Sequence, residues 1–225
     1  MSIEESYQKF LIEFNNHLSS IKQKATLVGV SKTKPLDDIV ALYKLGLRDF
    51  GENYAQELRD KIKDTIEEYK DIKWHYIGNI QENKIKYVAG KAHLIHTVDT
   101  LKKAEAINAY CLKHKVIQSI LIQVNVSKDP NKAGTTLDQT DDLYKNILTL
   151  EAIKIRGLMT ITKYSQDPEF SREDYRKMKK LGLSLENIYG RKLELSMGMS
   201  NDYKVALEEG ATIVRVGTKI FGERV

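Results

Sequence analysis

The stretch Thr26-Leu27-Val28-Gly29-Val30-Ser31-Lys32 runs straight into Thr33-Lys34-Pro35 and a helix-like segment. In an extended chain its side chains alternate between two faces, and here both faces are apolar or small. That pattern belongs to a strand covered on two sides, as in a parallel sheet layered with helices. Lys32 falls in phase with Val28 and Val30. A lysine in phase with buried valines, at the carboxyl end of such a strand, points toward an interior or a cleft mouth. Partial desolvation there favours the neutral amine, a nucleophile suited to condense with an aldehyde. The plainer alternative is a lysine whose stem snorkels out of a strand end.

Outward from this stretch the chain repeats the same grammar. Strands are expected at 27–31, 48–51, 74–78, 94–98, 117–126, 154–160, 193–197 and 213–217. Helix-like stretches begin near Pro35, Tyr54, Glu82, Leu101, Leu137, Arg172 and Asp202. Pro35 followed by Asp37 and Asp38 suits a helix start, because proline fits the first position and acids suit the positive end of the dipole. Asp99-Thr100 and Thr135-Thr136 are expected caps, and Gly46, Gly90 and Gly210 sit where helices should stop. Ahead of them Ile3, Tyr7, Phe10, Leu11, Phe14, Leu18 and Ile21 form one apolar stripe at helical spacing. Eight strands separated by helices predict a (β/α)₈ TIM barrel of the α/β class, with an extra N-terminal helix covering part of the barrel left bare. A doubly wound open sheet is the alternative. No Pro/Gly/Ser-rich linker divides residues 1–225, so one domain is expected.

Composition narrows the function classes. The 225 residues carry a net charge of +5, but basic residues are interleaved with acids, as in EELRDKIKDTIEEYKDIK. Such interleaving describes a solvated surface, and no nucleic-acid recognition module is legible, so no nucleic-acid partner is expected. No apolar run approaches the ~20 residues of a membrane span, and no signal pattern opens the chain. The one cysteine, Cys111, permits no intramolecular disulfide, in keeping with a cytoplasmic location. No CxxC, HExxH, Walker loop, GxGxxG or GxSxG is present.

Residues that bind or react on such a barrel lie at the carboxyl ends of its strands. There the sequence places Lys32, Gly51-Glu52-Asn53, Gly78-Asn79-Ile80-Gln81, Asn125, Met159-Thr160, Gly198-Met199-Ser200 and Gly217-Thr218. Ser196-Met197-Gly198-Met199-Ser200-Asn201-Asp202 leads into a helix and offers hydroxyls and backbone N–H groups, while Arg215-Val216-Gly217-Thr218 adds a glycine and a threonine hydroxyl. Together they read as a phosphate cradle or as a plain capped turn beside a barrel-closing glycine. Arg215 alternates with Ile213 and Gly217, so it is expected to face the barrel mouth, where a buried guanidinium needs a partner. His75 reads as a ligand contact or as a hydrogen-bonded core histidine. Lys132, in the polar loop 128–134, reads as a rim residue or a solvated lysine.

VSKTKP, FGENYAQE, WHYIGNIQENK, QVNVSKDPNKAG, RGLMTI, LSMGMSND and VRVGTKIFGER follow in order from Val30 to Arg224. With these motifs the chain resembles the pyridoxal phosphate homeostasis protein family, single-domain fold type III barrels similar to the N-terminal domain of alanine racemase. The resemblance implies pyridoxal 5′-phosphate as cofactor and matches Lys32 to the family lysine that forms the internal aldimine. It matches Ser200 and the backbone at Met199 to the phosphate-binding motif, Gly217 and Thr218 to the second phosphate loop, and Asn53 and Met159 to positions near the cofactor ring. Ser196 lines the same site by this resemblance, and Arg215 matches an arginine near the pyridine nitrogen, which would leave the cofactor a weaker electron sink. Lys34 is a second lysine able to take over or relay the aldehyde.

Three functions fit these residues. One is a non-catalytic carrier that stores pyridoxal phosphate and delivers it to apoenzymes, expected to act as a monomer. The second is an amino-acid racemase, and the third a lysine-dependent aldolase whose substrate carries the phosphate. Racemases resembling this chain add a second domain that serves the opposite cofactor face, and two-base proton transfer needs both faces. No residues remain for such a domain after the last strand, which favours the carrier as the expectation.

Overall fold

The computed structural model describes residues 2–222. Eight parallel strands close into a barrel in chain order: β1 (Thr26–Val30), β2 (Asp49–Glu52), β3 (Lys73–Tyr76), β4 (Leu94–Val98), β5 (Gln118–Gln123), β6 (Ile153–Met159), β7 (Glu194–Ser196) and β8 (Ile213–Val216). Closure is made by β1 against β8, with Val28 opposite Arg215, which excludes the doubly wound sheet. Outside run α1 (Ile3–Ser20), α2 (Leu36–Lys44), α3 (Ala55–Asp64), α4 (Ile85–Val88), α5 (Leu101–His114), α6 (Thr140–Ile147), α7 (Arg172–Tyr189), α8 (Tyr203–Glu208) and α9 (Thr218–Phe221). Glu223 and Arg224, which end the last motif, lie outside the described residues.

Two apolar layers follow from the strand alternation. Val28, Leu94, Leu121, Met159 and Ile213 pack together inside the barrel. A larger layer between strands and helices includes Phe50, Ile39, Leu42 and Leu58, all fully buried. Full burial of such side chains is worth about 1.5–3 kcal/mol each. At Gly157 a Cβ would stand 1.9 Å from the Glu194 carbonyl oxygen, so β6 pairs with β7 there only without a side chain.

The N-terminal helix takes the covering role expected of it. α9 has only four residues, and α1 packs against both α9 and α2. Phe10 and Phe14 reach Tyr203 of α8 with ring centroids 5.3 and 6.2 Å away. A capping box of Ser2 and Glu5 starts this helix.

Most strand boundaries shift by one or two residues from the sequence reading, and four differences have a local cause. Pro35 occupies the N-cap, one place before the helix proper. β5 ends at Gln123 rather than 126, because Asn125 folds the chain into a loop, donating Nδ2–H to the carbonyls of Asp129 and Lys132 at 2.8 and 3.1 Å. α6 begins at Thr140 after a turn in which Thr136 Oγ1 accepts from the Gln139 amide. The helix expected near Glu82 is a 3₁₀ turn followed by the four residues of α4.

Candidate functional site

Lys32 sits in a tight turn at the end of β1. The Lys34 amide donates to the Ser31 carbonyl at 3.0 Å, and Thr33 adopts φ 64°. A β-branched residue in the left-handed region is held against a preference of about 1–2 kcal/mol. What holds it is a polar network behind the turn. The Thr33 amide donates to Glu57 Oε1 at 2.7 Å, and Ser31 Oγ donates to Glu52 Oε1 at 2.5 Å. Lys61 Nζ, on α3, joins these by donating to Glu52 Oε1, the Ser31 carbonyl and Glu57 Oε1 at 2.7, 2.8 and 2.7 Å. Burial pushes the Glu52 carboxyl up from its ordinary range, with the Lys61 cation opposing. Strand alternation sends Ser31 and Glu52 toward α3, while Lys32, half-buried, belongs with the inward set. Lys34 turns the other way, its amine donating to the Phe221 carbonyl at 3.0 Å.

The loops after β7 and β8 meet. Ser200 Oγ accepts from the Gly217 amide at 3.2 Å. A Cβ on Gly217 would sit 3.5 Å from Val30 Cβ, so this loop abuts the strand that carries Lys32. Asp202 shapes the first loop, accepting from the Met199 amide at 2.8 Å and from the Tyr175 hydroxyl at 2.6 Å. Burial is the chief cause that pushes the Tyr175 phenol far upward, so it stays a donor. Gly198 takes φ 91°, and a Cβ there would meet Ala206 Cβ at 2.5 Å, so turn and close approach both call for glycine. Helix geometry leaves the amides of Thr218 and Lys219, in the first turn of α9, without intrahelical acceptors.

Arg215 points inward as its alternation requires and is buried. Nη1 donates to Ser196 Oγ at 2.6 Å and Nη2 to the Thr160 carbonyl at 2.9 Å. Among the described residues no carboxylate forms a salt bridge with it, and burial draws its pKa down to about 10. Ser196 is fully buried below the mouth, and Met159 forms part of the inner apolar layer, the floor of the site. On the β2–β6 side the mouth opens into a cavity of about 290 Å³ lined by Asn53, Ile77, Thr97, Gln123, Lys132 and Ile161, among others. Asn53 Oδ1 is buried with no hydrogen-bond partner among the described residues. Lys132 does reach the rim: its amine donates to the carbonyls of Thr162 and Ile161, and desolvation lowers its pKa.

The barrel and its mouth have counterparts among known proteins. The sequence profile of the alanine racemase N-terminal domain matches residues 12–225. The pyridoxal phosphate homeostasis protein of Aquifex aeolicus is 43% identical over 204 residues, covering 89% of this chain and 87% of that one. The chain belongs to the pyridoxal phosphate homeostasis protein family. The protein of that name from Schizosaccharomyces pombe is 38% identical over 214 residues, covering 92% of this chain and 89% of its own. PipY of Synechococcus elongatus, solved with PLP bound, superposes with a TM-score of 0.85 at 29% identity, covering 98% of this chain and all of that one.

Membership of the pyridoxal phosphate homeostasis family gives the rim residues their context. The structure gathers Lys32, Met199, Ser200, Gly217 and Thr218 on the β1, β7 and β8 side of the mouth, with Asn53 on the β2 side and Met159, Ser196 and Arg215 beneath. Thr218 is exposed. Sequence reasoning missed the Glu52–Lys61–Glu57 support behind Lys32 and the Asp202–Tyr175 support of the β7 loop. Glu57 and Lys61 stand four apart on α3, a spacing that marks a helix-surface pair. Nothing local says that Glu52 meets them.

Proposed function

We propose that this chain binds pyridoxal 5′-phosphate at the barrel mouth, tethered by Lys32, and stores and delivers it without turnover. The observation that carries this reading is the meeting of a strained, braced lysine turn with the two-loop cradle of Ser200, Gly217 and Thr218. Strain of this kind persists only where the surroundings over-determine it, and it concentrates at working sites.

The residues present fit the group. Ser200, Thr218 and the first amides of α9 suit a phosphate, and both Asp202 oxygens are engaged by donors of the protein. Asn53 Oδ1 is a buried acceptor without a partner among the described residues, which a donor on the ring would supply. Met159 and the inner apolar layer offer a floor for a flat ring. When bound, the group supplies an aldehyde that condenses reversibly with a lysine amine. Lys32 would supply that amine, Ser200 and Thr218 with the Met199 and Gly217 backbone would hold the anionic end, and Arg215, held by Ser196, would meet the ring nitrogen. Arg215 is a cation with donors only, so it leaves a ring nitrogen facing it unprotonated.

Relatives named as homeostasis proteins support carriage over turnover, and a structural counterpart solved with PLP bound supports the ligand. We place the carrier in the cytoplasm as a monomer that hands its cofactor to PLP-dependent apoenzymes. Protein mixed with pyridoxal phosphate should develop a visible band, and borohydride should fix the label on the peptide bearing Lys32. A Lys32→Ala protein with the same band and label would overturn the Lys32 assignment. Robust amino-acid racemisation by the purified protein would replace the carrier with the racemase reading.

A further inference from the structure

A hydrogen-bonded chain threads the inside of the barrel from its amino-terminal end to the mouth. Asp49 Oδ1, at the start of β2, lies 2.9 Å from His75 Nε2, and His75 Nδ1 lies 2.8 Å from His96 Nε2. His96 Nδ1 lies 2.9 Å from Ser196 Oγ, which in turn accepts from Arg215 Nη1 at 2.6 Å. The Asp49 side chain is 16% exposed against 2% for His75, and His96 and Ser196 are fully buried. The chain therefore meets solvent at Asp49, on the side away from the mouth.

With both rings neutral, counting protons gives the chain one direction. A guanidinium has donors only, so Ser196 Oγ accepts from Arg215 and can give its own proton to His96 Nδ1. A neutral His96 then carries its proton on Nε2 and gives it to His75 Nδ1. His75 likewise carries its proton on Nε2 and gives it to the Asp49 carboxylate. Every link is made with both rings neutral, and every donor points toward Asp49. The reverse order needs an imidazolium at His75, because a neutral His75 donating from Nδ1 would set a bare Nε2 against a carboxylate. Burial holds the His96 imidazolium well below its ordinary range, and the neighbouring His75, Arg215, Arg156 and His93 add to the effect. The charged and titratable groups around the two rings are Asp49 from β2, His93 ahead of β4, Arg156 from β6 with its partner Glu194 from β7, and Arg215 from β8.

We propose that Asp49, His75, His96 and Ser196 are positioning residues for Arg215. The Asp49 carboxylate selects the Nε2–H tautomer of both rings, the rings hold Ser196 Oγ as an acceptor, and Arg215 is thereby fixed beneath the mouth. This reaches from the far end of the barrel to the group assigned above to the ring nitrogen. Its cofactor arm rests on the proposed function, and its protein-only arm does not.

The protein-only arm is ¹⁵N NMR of histidine-labelled protein without cofactor, near pH 7. Both His75 and His96 should carry a proton on Nε2, with Nδ1 of His96 bare and accepting from Ser196. In Asp49→Asn the side-chain amide can donate as well as accept, so the selection is lost and His96 should populate the Nδ1–H form. The cofactor arm titrates the visible band of the protein loaded with pyridoxal phosphate, where Asp49→Asn should move the pH midpoint by about one unit. Thermal melting is read alongside, and the midpoint should move without a matching loss of stability. Should Asp49→Asn fail to fold, His75→Asn is read the same way. A wild-type His96 protonated on Nδ1 would overturn the proposal. So would a variant in which neither the His96 tautomer nor the band midpoint moves. Failure to bind pyridoxal phosphate overturns the proposed function alone, and the protein-only arm then decides this one.

Discussion

Ser200 Oγ accepts a hydrogen bond from the Gly217 amide at 3.2 Å, so one hydroxyl ties the loop after β7 to the loop after β8. The same hydroxyl retains a proton to donate and a second lone pair. Hydrogen bonds to charged groups are worth about 1.5–3 kcal/mol. Ser200→Ala should therefore weaken pyridoxal 5′-phosphate binding by about 10- to 100-fold. Pyridoxal without its phosphate should bind both proteins alike. Titration of both compounds checks this, and equal losses for the two would remove Ser200 from the phosphate site.

Lys61→Met tests the support behind Lys32. Removing one partner of a buried pair leaves an uncompensated charge and costs about 3–5 kcal/mol. Here the orphan would be Glu52, whose carboxyl burial already pushes upward and whose opposing cation is Lys61. Without Lys61 that carboxyl rises further. An acid raised in the folded state destabilises at high pH and ceases to do so once both states are protonated. The Lys61→Met deficit should thus be full at neutral pH and shrink on acidification. Urea midpoints across pH read it, and a pH-independent deficit would contradict the pairing.

Thr33→Gly should act in the opposite direction. Thr33 adopts φ 64°, a region open to glycine without strain, and its only network bond in this turn comes from the backbone amide. Relief of about 1–2 kcal/mol is partly offset by the about 0.5–1 kcal/mol entropy cost of glycine. The variant should be up to about 1.5 kcal/mol more stable while binding cofactor more weakly, because the Lys32 turn is less constrained. A destabilised variant would show that the threonine side chain, not the turn, matters.

How much of this was legible follows from range. The strand at Thr26–Val30 and the inward phase of Lys32 and Arg215 are two-residue periodicities, visible in any short window. The closure of β1 on β8 was legible only through the count of strands. The sequence sets Glu52 on the rim between Gly51 and Asn53, yet alternation sends its side chain to α3 while Asn53 lines the mouth. His75 was readable as a core histidine. Its partners Asp49 and His96 come from other strands, 26 and 21 residues away, where no local pattern reaches. Side-chain partners across a barrel are set by register, and register forms only on closure.

Glu13 makes the covering of the barrel sensitive to acid. Hydrogen bonds from Lys204 and Tyr203 hold its carboxyl down at about 2, and they fasten α1 to α8 at 2.6 and 2.7 Å. A depressed carboxyl stabilises fully above its ordinary value of 4.5 and loses that stabilisation as pH falls toward about 2. The side chain is 40% exposed, so solvent screening limits the gain to about 0.5–1 kcal/mol. Glu13→Gln should be less stable than the parent by that amount at pH 7, and the gap should close between pH 4.5 and about 2. Phe10→Ala, which removes the ring packed on Tyr203, should instead cost about 3–5 kcal/mol at every pH. Urea melts of both variants along one pH series separate the two contributions. A Glu13→Gln deficit that persists unchanged at pH 2 would mean that packing, not the charge, accounts for the role of Glu13.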